Sequence, residues 1–416
     1  MTITNILFSN KEKILTWLSE KESQITPVFY SSVDVRDSGY KAAVVDTNFF
    51  PAGFNNLCYV GQTDAVAAFQ RFMKKKFPTV KNILIVIEEH TRNLWYLENA
   101  NVLQSIINRA GYTSKISTVL EDETQSMTTL KTASDAKIDV YNLDRQICKN
   151  NTETFDLVIL NHDLSSGIPS CLEKIKLPII PSLKAGWYNR SKTHHFKCTN
   201  EVIDEFASEF GIDPWFFTCL YETADAVTIN DETDRIKLAD KAKTLLARIQ
   251  KKYDQYDIKS KPYLFLKSSQ GTYGMGVQAI YDSSDILTLN RKNRNKLYKG
   301  KSSTIINNFI LQEGVESALT VEDKSAEVCI YNIGSQSVGA FYRVNTKKSV
   351  RDNLNSSGME FRKICPVAMK HPDCLPDTGD YCGIPLLHHK FFVYQVVSRL
   401  SLLASVKEVQ ELEMKS

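Results

Sequence analysis

Between residues 63 and 112, a short run of branched apolar residues, NILIVIE (82–88), stands between two helical patterns, TDAVAAFQRFMKKKF before it and LENANVLQSIINRAGY after it. A run this short, stopped abruptly by acidic residues, predicts a strand buried on both faces. FDLVILN (155–161) has the same character. Strands of this kind separated by helices need crossover connections, so the order predicts βαβ units and a parallel sheet. Polar loops should then gather at the strand carboxyl ends, where open α/β sheets bind ligands.

Other segments are read with less periodicity. EDETQSMTTLKTASDAK (121–137) is polar and poorly periodic and is expected to be a long loop or insertion. KLPIIPSLKAGWYNRSK and GIDPWFF, with their prolines and glycines, mark a break. A long amphipathic helix is expected over 232–256, where Leu238, Ala242, Leu245, Ile249 and Tyr253 form one apolar stripe. Short strands follow: YLFLK, GVQAIY, FILQEG, EVCIYNI and SVGAFYRV. A closing helix over about 389–408 carries Val393, Val396, Leu400 and Leu403 on one side. Neither an internal repeat nor a low-complexity tract is visible.

With 416 residues, 43% hydrophobic and 24% charged, the chain has material for two or three globular domains. A formal net charge of +3 argues against a dedicated nucleic-acid binder, which would normally carry a basic excess or stripe. The lysines at 74–76 and 251–252 fall at expected helix ends and read as solvated. Nine cysteines at scattered positions, with no C-x-x-C pair, predict a reducing compartment. The start lacks a basic n-region and an apolar core, and no stretch approaches the length of a membrane span. The expectation is a cytoplasmic protein with no nucleic-acid or membrane partner; a homo-oligomer is left open.

The most informative segment for chemistry is YLFLKSSQGTYGMGVQAIY (263–281). An extended run ends at Lys267, a loop with Gly271, Thr272, Tyr273, Gly274, Met275 and Gly276 follows, and a second extended run begins at Val277. Glycines let backbone amides approach a polyphosphate, and the lysine neutralises its charge. No Gly-Lys-Ser/Thr opens a helix here, so this is not a Walker loop, nor do the residues after Gly276 open a Rossmann helix. Alone, the segment is equally a glycine-containing hairpin that binds nothing. Downstream, FILQEGV brings Gln312, Glu313 and Val315 to the end of a strand, where ATP-grasp enzymes hold adenine and ribose. EVCIYNIGSQSVGAFYRVN reads as a hairpin with Gly334 in its turn, containing Glu327 and ending near Arg343. An arginine there stabilises charge on a transferring phosphoryl group, or is merely a surface strand residue. RDNLNSSGMEF adds Asn353 and Asn355, oxygen donors for Mg²⁺ or phosphate-side contacts.

In FYSSVDVRDSGYKAAVVDTNFFPAGFNNLC (29–58), Asp34, Arg36, Lys41, Asp46, Asn48, Asn55 and Asn56 crowd between apolar residues and turn formers. Such density suits a loop that binds a zwitterion, carboxylates for an ammonium and Arg or Asn for a carboxylate; a capped turn is the alternative. EEHTRN places Glu89, His90, Arg92 and Asn93 at a strand carboxyl end, and LNHDLSSG does the same with Asn161, Asp163 and Ser165. GWYNRSKTHHF adds Arg190, Lys192 and His195; Lys192 is placed to reach phosphates or an acidic substrate, or is simply solvated.

Taken in order, VDVRDSGYKAAVVDTNFFPAGFNNL, EEHTRN, LNHDLSSGIP, AGWYNRSKTHHF, GIDPWF, GTYGMGV, QEGV and GAFYRVN with NLNSSG resemble the ATP-grasp-like family of bacterial glutamate–cysteine ligases, from about residue 28 to 408. The resemblance implies an α/β fold: an N-terminal parallel-sheet, pre-ATP-grasp-like domain over 1–180 that binds substrate, then an ATP-grasp-like α+β domain over 181–416. It implies ATP- and Mg²⁺-dependent joining of L-glutamate to L-cysteine through γ-glutamyl phosphate, the first step of glutathione formation. The expected catalytic cations are Lys267, Arg190 and Arg343. The expected nucleotide contacts are Lys192, Lys267, residues 271–276, Gln312, Glu313 and Val315. The amino-acid contacts are those of 29–58, EEHTRN and LNHDLSSG, and the metal ligands Glu313, Glu327, Asn353 and Asn355. Where the family pattern has Lys-Ala-Asp-Ala before the glycine loop, this chain has Lys267-Ser268-Ser269-Gln270. The alternatives are an ATP-grasp ligase with another amino acid or peptide as acceptor, and a catalytically reduced nucleotide-binding homologue.

Overall fold

The computed structural model describes residues 3–89, 92–119, 125–143, 155–269, 276–298, 306–365, 384–385 and 388–414. Two helices, α1 (Ile3–Ser9) and α2 (Lys11–Ser23), lead into β1 (Tyr30–Asp37) and β2 (Ala42–Asn48). The segment 29–58 is therefore not one polar loop but chiefly two paired strands. Its polar residues alternate with Val33 and Val35 at the period of a strand whose faces meet different surroundings.

After α3 (Tyr59–Lys76) come β3 (Asn82–Ile87), α4 (Leu94–Arg109), β4 (Thr113–Thr118), β5 (Met127–Lys131), β6 (Lys137–Asn142), β7 (Leu157–Asn161), α5 (Ser170–Glu173) and β8 (Ile179–Ile180). They form a six-stranded sheet in the order β5-β6-β4-β3-β7-β8, parallel except for β5 at the edge. The expected long loop at 121–137 thus contains strand β5, hairpinned onto β6; its polar alternation is that of an edge strand with exposed residues. The parallel strands are apolar throughout because both faces are covered. Ile83, Ile85, Ile87, Leu157 and Ile159 pack under α3 and α4, while Leu84, Val86, Val158 and Leu160 pack against Phe49, Phe50, Leu172 and Ala185.

Helix α6 (Lys192–Phe210) begins after Ser191, whose side chain caps it by accepting from the His194 amide, and ends at Gly211 in the left-handed region. A four-stranded antiparallel sheet follows in the order β11-β10-β12-β9, from β9 (Tyr221–Ala224), β10 (Leu264–Ser268), β11 (Gln278–Ile280) and β12 (Phe309–Glu313). Between β9 and β10, α7 (Glu232–Gln255) buries the predicted stripe Leu238, Ala242, Leu245, Ile249 and Tyr253, sharing a core with Leu264, Leu266, Phe309 and Leu311. The opposite face of that small sheet carries Phe265, Lys267 and Gln312. Two short helices, α8 (Ser284–Leu287) and α9 (Arg291–Tyr298), lie between β11 and β12.

The last strands are β13 (Thr320–Val321), β14 (Lys324–Ile333), β15 (Gln336–Asn345), β16 (Met359–Cys365) and β17 (Ile384–Pro385). Together with β1 and β2 they make the largest sheet, β17-β16-β15-β14-β1-β2, with β13 paired to β14. Strands from the first fifty residues thus pair with strands beyond residue 320. One face of this sheet packs on α3 through Cys329, Tyr331, Ile333 and Phe341, and the other on α10 (His388–Met414) through Val328, Ile330, Val393, Val397 and Leu400. Several helical residues outside the predicted stripe, Val397, Leu402 and Val406, are buried as well, since α10 is enclosed by neighbours on several sides. Among the described residues, no helix is long and apolar enough to cross a membrane.

Candidate active site

The face of the large sheet that is aromatic at Tyr30, Tyr331 and Phe341 becomes charged a few residues along. Asp34 and Arg36 of β1, Glu327 of β14 and Arg343 of β15 lie side by side, Glu327 directly opposite Arg343 across the ladder. The two residues of such a cross-strand pair stand about 4.5–5.5 Å apart at Cβ, so their charges must be matched. Arg343 Nη1 donates to Asp34 Oδ2 at 2.8 Å and also to Glu327 Oε1. Arg36 Nε donates to the other Glu327 oxygen at 2.8 Å. Its remaining bonds go to the carbonyls of Val315, Val350 and Asp352, at 3.2, 3.3 and 2.6 Å. Arg36 therefore anchors the loop that carries Asn353 and Asn355.

This charged end forms one wall of a cleft of about 1150 Å³, open to solvent. The facing wall is the polar side of the small sheet, with Phe265, Lys267 and Gln312. Lys192 at the start of α6, Trp187 before it, Asp163 after β7, and Asn353 and Asn355 also line the cleft. The cleft brings together Asp34, Arg36, Asp46, Asn48, Asp163, Lys192, Lys267, Gln312, Glu313, Val315, Glu327, Arg343, Asn353 and Asn355, each of them a residue expected from sequence. It adds Ser32, Val45, Trp187, Phe265, Ser268 and Val277. Phe265 and Ser32 had a legible signal, the period-2 spacing from Lys267 and Asp34 on the same strands; Trp187 had none.

Electrostatically, the cleft is divided. Lys192 Nζ donates to Asp46 Oδ1 at 2.7 Å, and Lys267 Nζ to Gln312 Oε1 at 2.6 Å. Burial, and then the positive charge of Lys192, lower the Lys267 ammonium to about 8. On the acidic side, Asp34 and Asp46 are opposite one another on β1 and β2. Burial pushes the Asp34 carboxyl upward, and the negative Glu327 and Asp46 add to this against the pull of Arg343. Burial also acts upward on Glu327, yet Arg36 and Arg343 hold it below its ordinary range. Asp46, equally buried, is lowered by Lys192 and then Lys267. Lys192 is thus paired with Asp46, whereas Lys267 is held by the neutral Gln312 side chain, beside the facing carboxylates of Asp34 and Asp46. Gln312 Nε2 is buried without a hydrogen-bond partner.

Other expected residues have different places. Arg190 is not in the cleft: its guanidinium is clamped by Glu408 at 2.8 and 3.0 Å, donates to the Thr47 carbonyl at 3.2 Å and stacks on Phe49 and Trp187. With its charge matched and its planes covered, it ties the segment before α6 to α10. Asn161 also lies outside, bonded to Tyr30, Pro51 and Asn99. Asn55 Nδ2 donates to Asn56, beside the 3-10 turn Phe54–Asn56, away from the cleft lining. Asn93 caps α4 by accepting from the Tyr96 amide at 3.2 Å. Glu89 pairs with His162 at 3.5 Å, Arg92 is exposed, and the Ser165 amide bonds to Asp163; none of the three lines the cleft. Glu313 borders the cleft, but its carboxylate accepts from Lys41 at 3.1 Å, Trp215 at 3.1 and 3.2 Å and the Leu220 amide at 2.9 Å. That set satisfies a buried anion and leaves little for a metal or a ribose. Gly271, Thr272, Tyr273, Gly274 and Met275, like His90, lie outside the described residues. Gly276 has φ +67, and a side chain there would meet the Lys296 carbonyl at 3.1 Å, so glycine is required.

Residues 4–409 match the sequence profile of the family described as glutamate-cysteine ligase. Among solved structures, one provisionally described as a gamma-glutamylcysteine synthetase of Methylobacillus flagellatus KT is 33% identical with a TM-score of 0.86, over 98% of this chain and 96% of that one. A glutathione synthetase-like effector (GSS30) of Globodera pallida, in apo form, gives 11% identity and a TM-score of 0.37 over 81% and 79% of the two chains, a likeness too weak to carry an argument. No curated protein matches the chain.

Proposed function

The chain belongs to the glutamate–cysteine ligase family, and we propose that it joins L-glutamate to L-cysteine at the expense of ATP within the cleft between the two sheets. Supporting this reading is one observation: Lys192 and Lys267 line the same cleft as the Asp34–Arg343–Glu327 cluster, and the positive charge of the first lowers the second. A pair of neighbouring, half-buried ammonium groups is stabilised by an anion of high charge, which a triphosphate provides. Phe265 offers an apolar surface, and the unpartnered Gln312 amide a donor, for a nucleobase. We read the small sheet as the nucleotide wall of an ATP-grasp-like unit, and keep the division near residue 180 as one of roles, amino-acid side before it and nucleotide side after it.

In the proposed reaction a γ-carboxylate oxygen of glutamate forms a bond to the γ-phosphorus of ATP, and ADP leaves with the bridging electrons. The amine of cysteine then attacks the acyl carbon of γ-glutamyl phosphate, and inorganic phosphate leaves as the amide forms. Lys267 and Lys192 hold the phosphates in line, Arg343 faces the charge that develops on the transferring group, and Trp187 with Phe265 limits water. Mg²⁺ fits the donor chemistry on the acidic side: Asp34 and Asp46 face one another across β1 and β2, Asn353 and Asn355 line the same cleft, and a hard cation offsets the burial, and after it the negative charge of Glu327 and Asp46, that raise Asp34. When bound there it would neutralise phosphate charge. Glu313, held by Lys41 and Trp215, is left out of that set. Among the described lining residues none reads a thiol, so the acceptor is the point to test. Phosphate release from ATP and Mg²⁺ is measured with glutamate and a panel of amino acids. Turnover that requires cysteine supports the proposal; turnover only with another acceptor, or tight ATP binding without turnover, overturns it.

A further inference from the structure

Away from the cleft, α6 and α10 pack side by side, and three side chains of different donor chemistry meet between them. His194 and Cys198 are four residues apart on α6 and so share one face. Glu411 reaches them from α10. His194 Nε2 stands 2.8 Å from Glu411 Oε2 and 3.8 Å from Cys198 Sγ, and all three ligand atoms lie within 4.8 Å of one another. Bonds of about 2.0–2.3 Å to a tetrahedral ion place neighbouring ligand atoms roughly 3.3–3.8 Å apart, so this group needs only small side-chain adjustments to enclose one. His194 Nδ1 is buried with no hydrogen-bond partner, which leaves Nε2, the nitrogen shared with the acid and the thiol, to carry the ring's polar contacts.

We propose that His194, Cys198 and Glu411 form a binding site for a divalent transition-metal ion of the zinc class, joining α6 to α10. Imidazole, thiolate and one carboxylate select zinc or cobalt over magnesium, whose preference is for an all-oxygen shell. Three protein ligands leave a fourth position for water. Binding breaks the Cys198 S–H bond, forms a sulfur–metal bond and releases one proton to solvent, with no change of oxidation state. The site has a mechanical link to the cleft: Lys192 is the first residue of the same helix, and His195, next to His194, holds Glu408 of α10 at 2.7 Å. An ion here would fix the helix whose first residue reaches the nucleotide side.

The test uses the full chain, stripped of metal by a chelator and titrated with Co²⁺ and then with Zn²⁺. The expected result is a thiolate-to-cobalt charge-transfer absorption saturating at one equivalent, displaced by zinc, and a zinc-dependent rise in Tm. C198A should abolish the absorption, and H194A and E411A should each weaken cobalt binding at least tenfold. C198S, nearly isosteric, checks that loss of the band is not loss of the fold, because its circular dichroism should match the parent's. Absence of the band in the parent protein, or its persistence in C198A, overturns the proposal. Both readouts are independent of ligase turnover.

Discussion

Arg190 and Glu408 are joined by two nearly parallel hydrogen bonds, 2.8 and 3.0 Å, in a place where neither side chain meets solvent. Arg190→Ala removes both of these bonds and leaves the buried Glu408 carboxylate with His195 as its neighbouring partner. Loss of one member of a buried ion pair costs about 3–5 kcal/mol, so the denaturant midpoint should fall sharply. Because the arginine does not line the cleft, KM values of whatever remains folded should stay within about twofold. A large KM change at parental stability would return Arg190 to the site.

The same pair gives folding an acid dependence. Burial acts to raise the Glu408 carboxyl, but Arg190 and His195 outweigh it and hold the group at about 2. The unfolded carboxyl titrates near about 4.3. Its folded value is depressed, so its contribution is complete above the unfolded value and is lost as pH falls from there toward 2. Urea midpoints recorded across that interval should decline with a component that Glu408→Gln removes. Identical slopes in parent and variant would show that other groups govern acid unfolding.

Glu313 supplies a second structural test. With Lys41, Trp215 and the Leu220 amide around its carboxylate, Glu313→Gln retains most hydrogen bonds but unbalances the buried Lys41. Stability should drop by about 3–5 kcal/mol, while the Mg²⁺ concentration for half-maximal turnover stays the same. A tenfold shift in that concentration, with stability unaltered, would make Glu313 a metal ligand after all.

Arg343 is the cation expected to act on the reaction itself. It is fixed by Asp34 and Glu327, and its Nε is buried with no partner. Arg343→Lys keeps the charge but cannot hold both carboxylates in one plane. Turnover should fall about 10²–10³-fold, the scale of losing one donor to a developing charge, with the Tm nearly retained. A decrease under threefold would remove Arg343 from the chemistry.

These residues also show which parts of the molecule were legible in the sequence. NILIVIE and FDLVILN announced the parallel sheet because burial on both faces leaves no polar alternation to confuse the pattern. Segment 29–58 misled for the converse reason: one face of β1 and β2 borders the cleft, so Ser32, Asp34, Arg36, Asp46 and Asn48 read as loop polarity, although their period of two is that of a strand. Strand β5 was hidden by its exposed edge. Arg190 stood beside Lys192 in sequence and was assigned with it, but the partner that decides its role, Glu408, is 218 residues away and belongs to no local pattern. Asn93 and Asn161 likewise have partners that no local pattern announces, the first as a helix cap and the second as a buried bridge to Tyr30. Most of the cleft's charged lining was visible because charges at strand ends without a local partner need a reason; who pairs with whom across the sheet was not.

The Lys267 ammonium, lowered to about 8 by burial and by Lys192, makes ATP binding pH-dependent in a predictable sense. A polyphosphate binds the charged form, so affinity should be level below about pH 7, fall about twofold by pH 8 and decline more steeply as the proton is lost above it. For a single ionisation the decline is about fivefold between pH 8 and 9 and approaches tenfold per further unit. Folding responds oppositely: between about 8 and about 10.4 the unfolded lysine binds more protons than the folded one, and the penalty of burying the charge fades as pH rises. Lys267→Arg separates the two ends of this argument. Arginine stays charged throughout the interval, so its ATP affinity, though weakened by the altered shape, should lose the decline above pH 8. Calorimetric titrations of ATP from pH 7 to 9.5 measure both slopes. Parallel slopes in parent and variant would mean that the titrating group is elsewhere and that Lys267 does not face the nucleotide.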